Sequence, residues 1–207
     1  LKDRRDYVAY NLNYLIADGT IFQSSWSKRK NLEMGLSSNS NEATIYNAPN
    51  SLIFNTNSPR IFDHTAKTKI IATSWSSNWK KGFEVYKWLD ENLDFNRYEM
   101  AFIGNSPIEF KNIVHKEPMN SEKLSFELKR NDIFITASQS DPCSNSLIEA
   151  LHCGLPAIGL NDGGHTEIIA NGGEVFDNKK DIPRLLEKII IDYQGYQKNI
   201  SLHSIEE

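Results

Sequence analysis

The sequence is poor in the residues that mark disulfide-rich, metal-binding and membrane-spanning proteins. Among its 207 residues are two cysteines, Cys143 and Cys153, which form neither a disulfide framework nor a metal-ligand spacing. Four histidines, at positions 64, 115, 152 and 203, are scattered without ligand spacing, and we predict no metal site. No apolar run approaches the length of a membrane span, and no signal peptide is visible. We therefore expect a soluble protein of a reducing, cytoplasmic compartment.

The sequence also lacks an excess of positive charge. Lys and Arg number 23 against 27 Asp and Glu, which gives a net charge of -4 and a pI of about 5.8. No global basic field is available to attract nucleic acid, although local basic groups could still bind phosphates. Hydrophobic residues make up 39% and charged residues 24%, and both values are ordinary for a soluble globular domain.

Both termini have the appearance of cut ends. The chain opens without an initiator Met, and it closes with Ser204 placed to cap a helix and Glu206 and Glu207 following it. We expect this sequence to be a fragment of a longer protein.

The first 60 residues predict two helices and two short strands. The first helix, 3–17, has Tyr and Leu at helical spacing and is expected to be amphipathic. A strand at 20–25 precedes a helix that Ser25 can cap, and a second strand follows at 43–47. A segment rich in Pro, Asn and Ser then ends near Arg60 and is expected to be a linker.

From Lys67 onward apolar strands alternate with helices. Strands are predicted at 68–75, 98–104, 112–115, 132–138, 155–160 and 174–176, and helices at 81–93, 121–130 with a Ser121 cap, 144–153, 165–170 and 179–193. This alternation indicates an α/β fold, a Rossmann-like parallel sheet with helices on both faces. Ligands of such sheets bind at the carboxyl ends of the strands, so the loops 75–81, 104–111, 138–144 and 160–165 are the candidate site.

The most informative loop precedes the helix that Ser144 is expected to cap. The backbone N-H groups of Asn145, Ser146 and Leu147 then point outward at the positive end of the helix dipole, which suits phosphate. Glu149 lies one turn further along, where its carboxylate can accept hydrogen bonds from two adjacent hydroxyls. Together these groups suit a ribose diphosphate. The alternative is that Ser144 is only a cap and Glu149 only a solvated helix residue.

The run from Asp141 to Glu167, DPCSNSLIEALHCGLPAIGLNDGGHTE, resembles the signature of group 1 glycosyltransferases of the GT-B fold. That signature has an acidic residue, seven others and a Glu, then Gly-x-Pro, an apolar strand and Gly-Gly-x-x-Glu. Flanking segments are also similar, including the Lys-Gly pair at 81–82 and the Gly-rich turn at Gly104. The resemblance covers most of the chain. Residues 1–60 resemble the end of an acceptor-side domain plus its crossover, and 61–207 the C-terminal nucleotide-sugar-binding domain.

The resemblance implies transfer of a sugar from a nucleotide-diphosphate donor with retention at the anomeric carbon, and no metal or other cofactor. Carried over by position, Glu149 holds the ribose, Asp141 binds the donor sugar and Lys81 neutralises the diphosphate. The remaining donor-binding positions are predicted to be Lys80, Gly104, Ser144, Asn145, Ser146, Leu147, Gly163 and Gly164. The implied partners are a nucleotide-sugar donor and a saccharide or lipid-linked acceptor, in glycan, polysaccharide or glycolipid synthesis. Contact with the inner face of a membrane, through the remainder of the acceptor-side domain, is compatible with this location.

Two positions depart from the family pattern. Asp141 stands where the family usually has Glu, and no Arg occurs in 73–79, where the family usually places one before the Lys. Lys80 could substitute for it, although Lys and Arg are not equivalent at a forked phosphate contact. A GT-B nucleotide-sugar epimerase and a non-catalytic nucleotide-binding module therefore stay open as alternatives. His165 is compatible with contact to the donor sugar or with capping a short helix, and Trp75 and Trp79 with ligand packing or a cleft wall.

Overall fold

A computed structural model describes residues 4–36, 41–57 and 61–202. The predicted helix start at Ser204, His203 and the end of the linker near Arg60 lie outside these residues. In chain order the elements are α1 (Arg4–Ile16), β1 (Thr20–Phe22), α2 (Ser25–Glu33), β2 (Glu42–Thr44), β3 (Thr68–Ser74), α3 (Phe83–Asn92), β4 (Tyr98–Gly104), β5 (Val114–Lys116), α4 (Ser121–Leu128), β6 (Ile133–Thr136), α5 (Asn145–His152), β7 (Ala157–Leu160), α6 (His165–Ile169), β8 (Gly173–Phe176), α7 (Ile182–Ile191) and α8 (Tyr193–Lys198). None of the helices within this part of the chain is long and apolar enough to cross a bilayer.

Six strands form one parallel sheet in the order β5-β4-β3-β6-β7-β8. The chain starts at β3 in the middle, runs outward to β5, returns to β6 and then runs outward to β8 on the other side. The direction of travel therefore reverses between β3 and β6. In open parallel sheets this reversal separates two adjacent loops and opens a crevice at the carboxyl ends of the strands. The predicted Rossmann-like fold is confirmed.

Helices cover both faces of this sheet and enclose two apolar clusters. The first contains Phe83, Tyr86 and Leu89 of α3 together with residues of α7, and the second contains Leu147 of α5. Every residue of β6 is buried, because both faces of this central strand are covered. The strands whose carboxyl ends form the crevice are thus packed between helices on both faces of the sheet.

The N-terminal region has a different character. Strands β1 and β2 form a separate two-stranded parallel sheet, and α1 lies against α2, where the Tyr10 hydroxyl donates to the Asn31 side chain at 3.1 Å. The predicted helix forms, but the prediction that it is amphipathic is wrong: its apolar side chains are spread around the helix and remain on the surface. Tyr14, Leu15 and Ile16 are 67%, 72% and 74% exposed. Periodicity predicted the helix, but it did not predict that these side chains stay exposed.

The predicted linker packs on the large sheet region along much of its length. Phe54 is buried in the second apolar cluster, and the Ser125 hydroxyl of α4 donates to the Ile53 carbonyl at 2.6 Å. Lys129 donates to the Asn55 side chain at 2.8 Å. These contacts fasten residues 53–55 to the sheet region.

Two helix caps differ from the sequence expectation. The side chain of Ser24, and not that of Ser25, accepts from the backbone N-H of Ser27 at the start of α2. Asn120, and not Ser121, accepts from the N-H of Lys123 at the start of α4. In both cases the predicted residue is already the first helical residue, whereas a cap must lie just outside the helix in an extended conformation.

Candidate functional site

A cavity of about 300 Å³ opens at the carboxyl ends of β3, β4 and β6, where the chain direction reverses. Most residues that the sequence singled out line this cavity: Lys81, Gly104, Asp141, Ser144, Asn145, Ser146 and Glu149. The other predicted donor-binding residues, Lys80, Leu147, Gly163 and Gly164, are not part of its lining. The parallel sheet therefore brings together, in one crevice, charged groups that are far apart in the sequence.

The loop after β3 carries Lys81 into the cavity. It makes a short 3-10 turn at Trp79–Lys81, which the Asn78 side chain caps by accepting from the Lys80 N-H at 2.9 Å. Gly82 ends the turn with φ of 93°, and a Cβ there would lie 2.4 Å from the Cβ of Ala137. Only glycine permits this backbone conformation and this close approach of the loop to the chain after β6. The backbone conformation and close packing at position 82 thus explain why glycine follows Lys81.

Lys81 and Asp141 form an ion pair, with 3.0 Å between Nζ and Oδ2. Ser138 donates to the same carboxylate oxygen at 3.2 Å. The side chain of Asp141 is 15% exposed, so most of its carboxylate is desolvated and depends on these two partners. The residues that the resemblance assigned to the diphosphate and to the sugar are therefore direct neighbours.

Lys80 is not among the residues that line this cavity. Its side chain is exposed, and its backbone carbonyl accepts from the N-H of Gln139 at 2.7 Å. Among the described residues that line the cavity, Lys81 is the one cationic side chain.

Helix α5 begins at the cavity with free donor groups. Ser144 is the residue before the helix, as expected, but its side chain makes no hydrogen bond to the helix backbone and lies 3.2 Å from the Ser146 hydroxyl instead. The N-H groups of Asn145, Ser146 and Leu147 consequently have no acceptor within the described part of the chain. With the helix dipole behind them, these three donors favour an anion.

Glu149 faces the cavity from the second turn of α5 and is partly buried. Its carboxyl group has no hydrogen-bond or ion-pair partner among the residues that the structure describes. Burial raises the pKa of Glu149 from 4.5 to about 7. A partly buried carboxyl group that has no partner and a strongly raised pKa is a candidate for binding a ligand.

The Gly-Gly pair packs against the backbone that carries Asp141. Gly163 has φ of 66°, and a Cβ there would lie 2.2 Å from the Asp141 carbonyl oxygen. The N-H of Gly164 donates to that oxygen at 2.9 Å. In this structure the two glycines shape the site by allowing a close approach of two loops.

His165 is fully buried, and its Nδ1-H donates to the Leu160 carbonyl at 3.0 Å. Burial lowers the pKa of His165, so the ring is neutral at pH 7. It does not line the cavity, whereas Trp75 does and is 69% exposed. No cluster of three or more His, Cys, Asp or Glu suited to a metal ion occurs in residues 4–36, 41–57 and 61–202.

Two further residues near this site were given no role from the sequence: Asn47, which contacts the start of α5, and Glu167, which lies in the first turn after the Gly-Gly loop. Asn47 donates to the Asn145 side chain at 2.7 Å and so orients the first residue of α5. Glu167 accepts hydrogen bonds from the start of α2 and from Tyr46. The Gly-Gly-x-x-Glu pattern marked Glu167, but its partners are 121 or more residues away, and no local pattern indicates them.

Residues 108–201 match the model of the family described as glycosyl transferases group 1. This stretch contains Asp141, Glu149 and the Gly-Gly loop. The resemblance stated from the motif is confirmed over this stretch of the chain. No curated protein sequence matches the chain significantly.

Several solved structures have the same fold as this chain. Alr3699/HepE of Anabaena, crystallised with UDP-glucose, is 15% identical with a TM-score of 0.74, and the match covers 94% of this chain and 61% of that one. Sucrose-phosphate synthase of Thermosynechococcus elongatus is 16% identical with a TM-score of 0.75, covering 96% and 56%. TarM is 18% identical with a TM-score of 0.73, covering 97% and 42%. The chain thus spans about three fifths or less of the length of these proteins, and at such identities they establish the GT-B fold.

Proposed function

We propose that this chain holds the nucleotide-sugar donor of a glycosyltransferase. The enzyme transfers the sugar to a saccharide or lipid-linked acceptor with retention of anomeric configuration, in the synthesis of a glycan, polysaccharide or glycolipid. The observation that carries the proposal is the cavity at the β3–β6 reversal, which combines Glu149, the free start of α5 and the Lys81–Asp141 pair. The Anabaena structure contains UDP-glucose, so UDP-sugars are the first donors to test.

The arrangement of groups along the cavity matches the parts of such a donor. The partnerless carboxylate of Glu149 accepts from the two ribose hydroxyls. The N-H groups at the start of α5 bind the diphosphate, and the Asp141 carboxylate accepts from hydroxyls of the sugar.

Lys81 links leaving-group stabilisation to sugar binding. Its ammonium has three donors, so it can contact a diphosphate oxygen while it keeps Asp141. As the bond between the sugar and the diphosphate breaks, negative charge grows on the departing diphosphate. A fixed cation and a helix start already oriented toward that charge stabilise it without reorganisation.

The proposal is tested by calorimetry on the wild-type chain with UDP-glucose, GDP-mannose and ADP-glucose, and with free UDP. We expect saturable binding of one of the three families of donor. Trp75 lines the cavity, so binding should also change tryptophan fluorescence in a Trp79→Phe variant, and Trp75→Phe should remove most of that change. Absence of binding by all of these nucleotides at millimolar concentration would count against the proposal.

One observation favours a non-catalytic nucleotide-binding module as the second candidate. Lys81 is the one cation among the described lining residues and is already paired with Asp141, whereas a departing diphosphate needs strong charge stabilisation. Glycoside product from the enzyme that contains this chain excludes the module, and a free epimer identifies an epimerase. Nucleotide binding without any turnover of the donor supports the module.

A further inference from the structure

The N-terminal end of α2 rests on the carboxylate of Glu167. Oε2 of Glu167 accepts from the N-H of Ser25 at 3.1 Å, and Oε1 accepts from the N-H of Trp26 at 2.8 Å. The Tyr46 hydroxyl donates to Oε2 at 2.7 Å. Glu167, a residue of the region that contains the six-stranded sheet (residues 61–202), therefore binds both α2 and the segment after β2.

These bonds complete the hydrogen bonding of the first turn of α2. The two following N-H groups are also satisfied, since Ser27 donates to the Ser24 hydroxyl and Lys28 donates to the Ser24 carbonyl. A carboxylate at a helix N-terminus is further favoured by the helix dipole. Burial acts to raise the pKa of Glu167, but the hydrogen bonds from Tyr46, Trp26 and Ser25 outweigh it and the pKa lies below its ordinary value. Glu167 is therefore charged at neutral pH.

The contact continues from Glu167 to Asp141. Glu167 is in the first turn of α6, which begins directly after the Gly-Gly pair. The N-H of Gly164 donates to the Asp141 carbonyl, and a Cβ on Gly164 would lie 2.4 Å from the Pro142 carbonyl oxygen and 3.4 Å from the Cβ of Ser24. The Gly-Gly loop is thus packed between the start of α2 and the backbone of Asp141 and Pro142.

We propose that Glu167 is a positioning residue for the donor sugar. Its hydrogen bonds to α2 keep the Gly-Gly loop packed against Asp141, and this packing fixes the position of the Asp141 carboxylate that binds the sugar. This inference rests on the proposed function. It assigns Glu167 no contact with the donor. The nucleotide half of the site, with Glu149 and the start of α5, is linked to Glu167 less directly. Glu167 holds Tyr46, and the next residue, Asn47, has its own contacts with Cys143 and Asn145.

The test compares UDP with the UDP-sugar that the wild type binds, in Glu167→Gln, which keeps the shape of the side chain but brings an amide N-H group toward its former donors. We expect the UDP-sugar to bind about tenfold more weakly, which is the loss of roughly one charge-assisted hydrogen bond, and UDP affinity to change less than about twofold. A variant that is merely less stable should bind both UDP and the UDP-sugar more weakly, by the same factor. Tyr46→Phe, which removes one of the three bonds, should lie between wild type and Glu167→Gln.

Glu174→Gln is the matched control. Glu174 also accepts from a tyrosine hydroxyl, that of Tyr196, and from Lys188 at 2.6 Å, and it does not line the donor cavity. Its substitution should leave the ratio of the two affinities unchanged. An equal loss of UDP and UDP-sugar affinity in Glu167→Gln, or no loss of either, overturns the inference.

Amide hydrogen exchange provides a readout that needs no ligand. In Glu167→Gln the amides of Ser25 and Trp26 should exchange about tenfold faster, and the amide of Gly164, which donates to Asp141, should follow them. Unchanged protection of Gly164 contradicts the inference whatever the ligand data are. If the wild type binds no nucleotide but these amides respond as expected, the proposed function fails and the positioning contact stands as a structural link.

Discussion

Helices α5 and α1 both carry apolar side chains at helical spacing, yet their surroundings are opposite. In α5, Leu147 and Leu151 are 0% and 2% exposed, whereas in α1 Leu15 and Ile16 are 72% and 74% exposed. The comparison shows that the six-stranded region closes its own core on both faces. The N-terminal region is joined to it through the segment 46–55, which buries Phe54, and through the hydrogen bonds that Glu167 accepts from the start of α2.

The largest expected effect comes from making the same substitution in both helices. Leu147→Ala should lower the free energy of unfolding by about 2–5 kcal/mol, because it opens a cavity in a closed core. Leu15→Ala removes a side chain that is largely solvated and should change it by less than about 0.5 kcal/mol. Urea unfolding followed by circular dichroism measures both. Similar losses in the two variants would mean that the face of α1 is covered in solution.

The next effect separates two adjacent lysines in the site. Lys81→Ala should weaken nucleotide-sugar binding by about 10- to 100-fold, because it removes a charge-assisted contact and leaves Asp141 without its cation. Lys80→Ala should weaken it by less than about threefold, because the side chain of Lys80 does not line the cavity. Calorimetry with the UDP-sugar checks this. A larger loss for Lys80→Ala would show that Lys80 supplies the second cation.

The raised pKa of Glu149 predicts that donor binding depends on pH. Its pKa of about 7 means that the ionised carboxylate, the better acceptor for ribose hydroxyls, grows about tenfold between pH 6 and pH 8. Affinity for UDP-glucose, whose diphosphate does not titrate in this range, should rise nearly as much. Glu149→Gln should bind more weakly at pH 8 and show a flat profile. A tenfold rise that persists in Glu149→Gln would assign the titration to another group.

Glu149 also makes the free energy of unfolding depend on pH, and this dependence runs opposite to that of ligand affinity. Because the pKa of Glu149 is raised on folding, its contribution to stability is complete below its ordinary value of 4.5 and is lost as the pH rises through about 7. Glu149→Gln should therefore gain stability relative to the wild type on going from pH 5 to pH 8. Thermal unfolding at the two pH values measures this gain, and an equal difference at both would contradict it.

The smallest expected effect concerns the cap of α2. Ser24→Ala should lower the protection of the Ser27 amide by about 1 kcal/mol, because the Ser24 hydroxyl accepts from it. Ser25→Ala should change that protection by less than about 0.3 kcal/mol, since Ser25 is already helical. Hydrogen exchange at the Ser27 amide decides between the two serines.

Much of the large region could be predicted because its signals are local. The apolar run at 132–138 predicted a strand, which the structure shows to be fully buried, and the segment before Ser144 predicted the start of α5 and the approach of Glu149 to the crevice. Cap positions were displaced by one residue at Ser25 and Ser121, because neighbouring polar residues are equally suitable caps in sequence. The exposure of α1 was not predicted, because the Tyr and Leu spacing was interpreted as an apolar face, whereas the apolar side chains are spread around this helix.

The sequence by itself determined the alternation of strands and helices, the parallel sheet that follows from it and the group of residues at its carboxyl edge. Hydrophobic periodicity and glycine positions encode these features over a few residues at a time. Only the tertiary structure decided that Lys81 pairs with Asp141 across 60 residues and that Glu167 binds the start of α2 across 141. Such contacts arise because the sheet places distant loops side by side, and no local pattern specifies which charges will meet there.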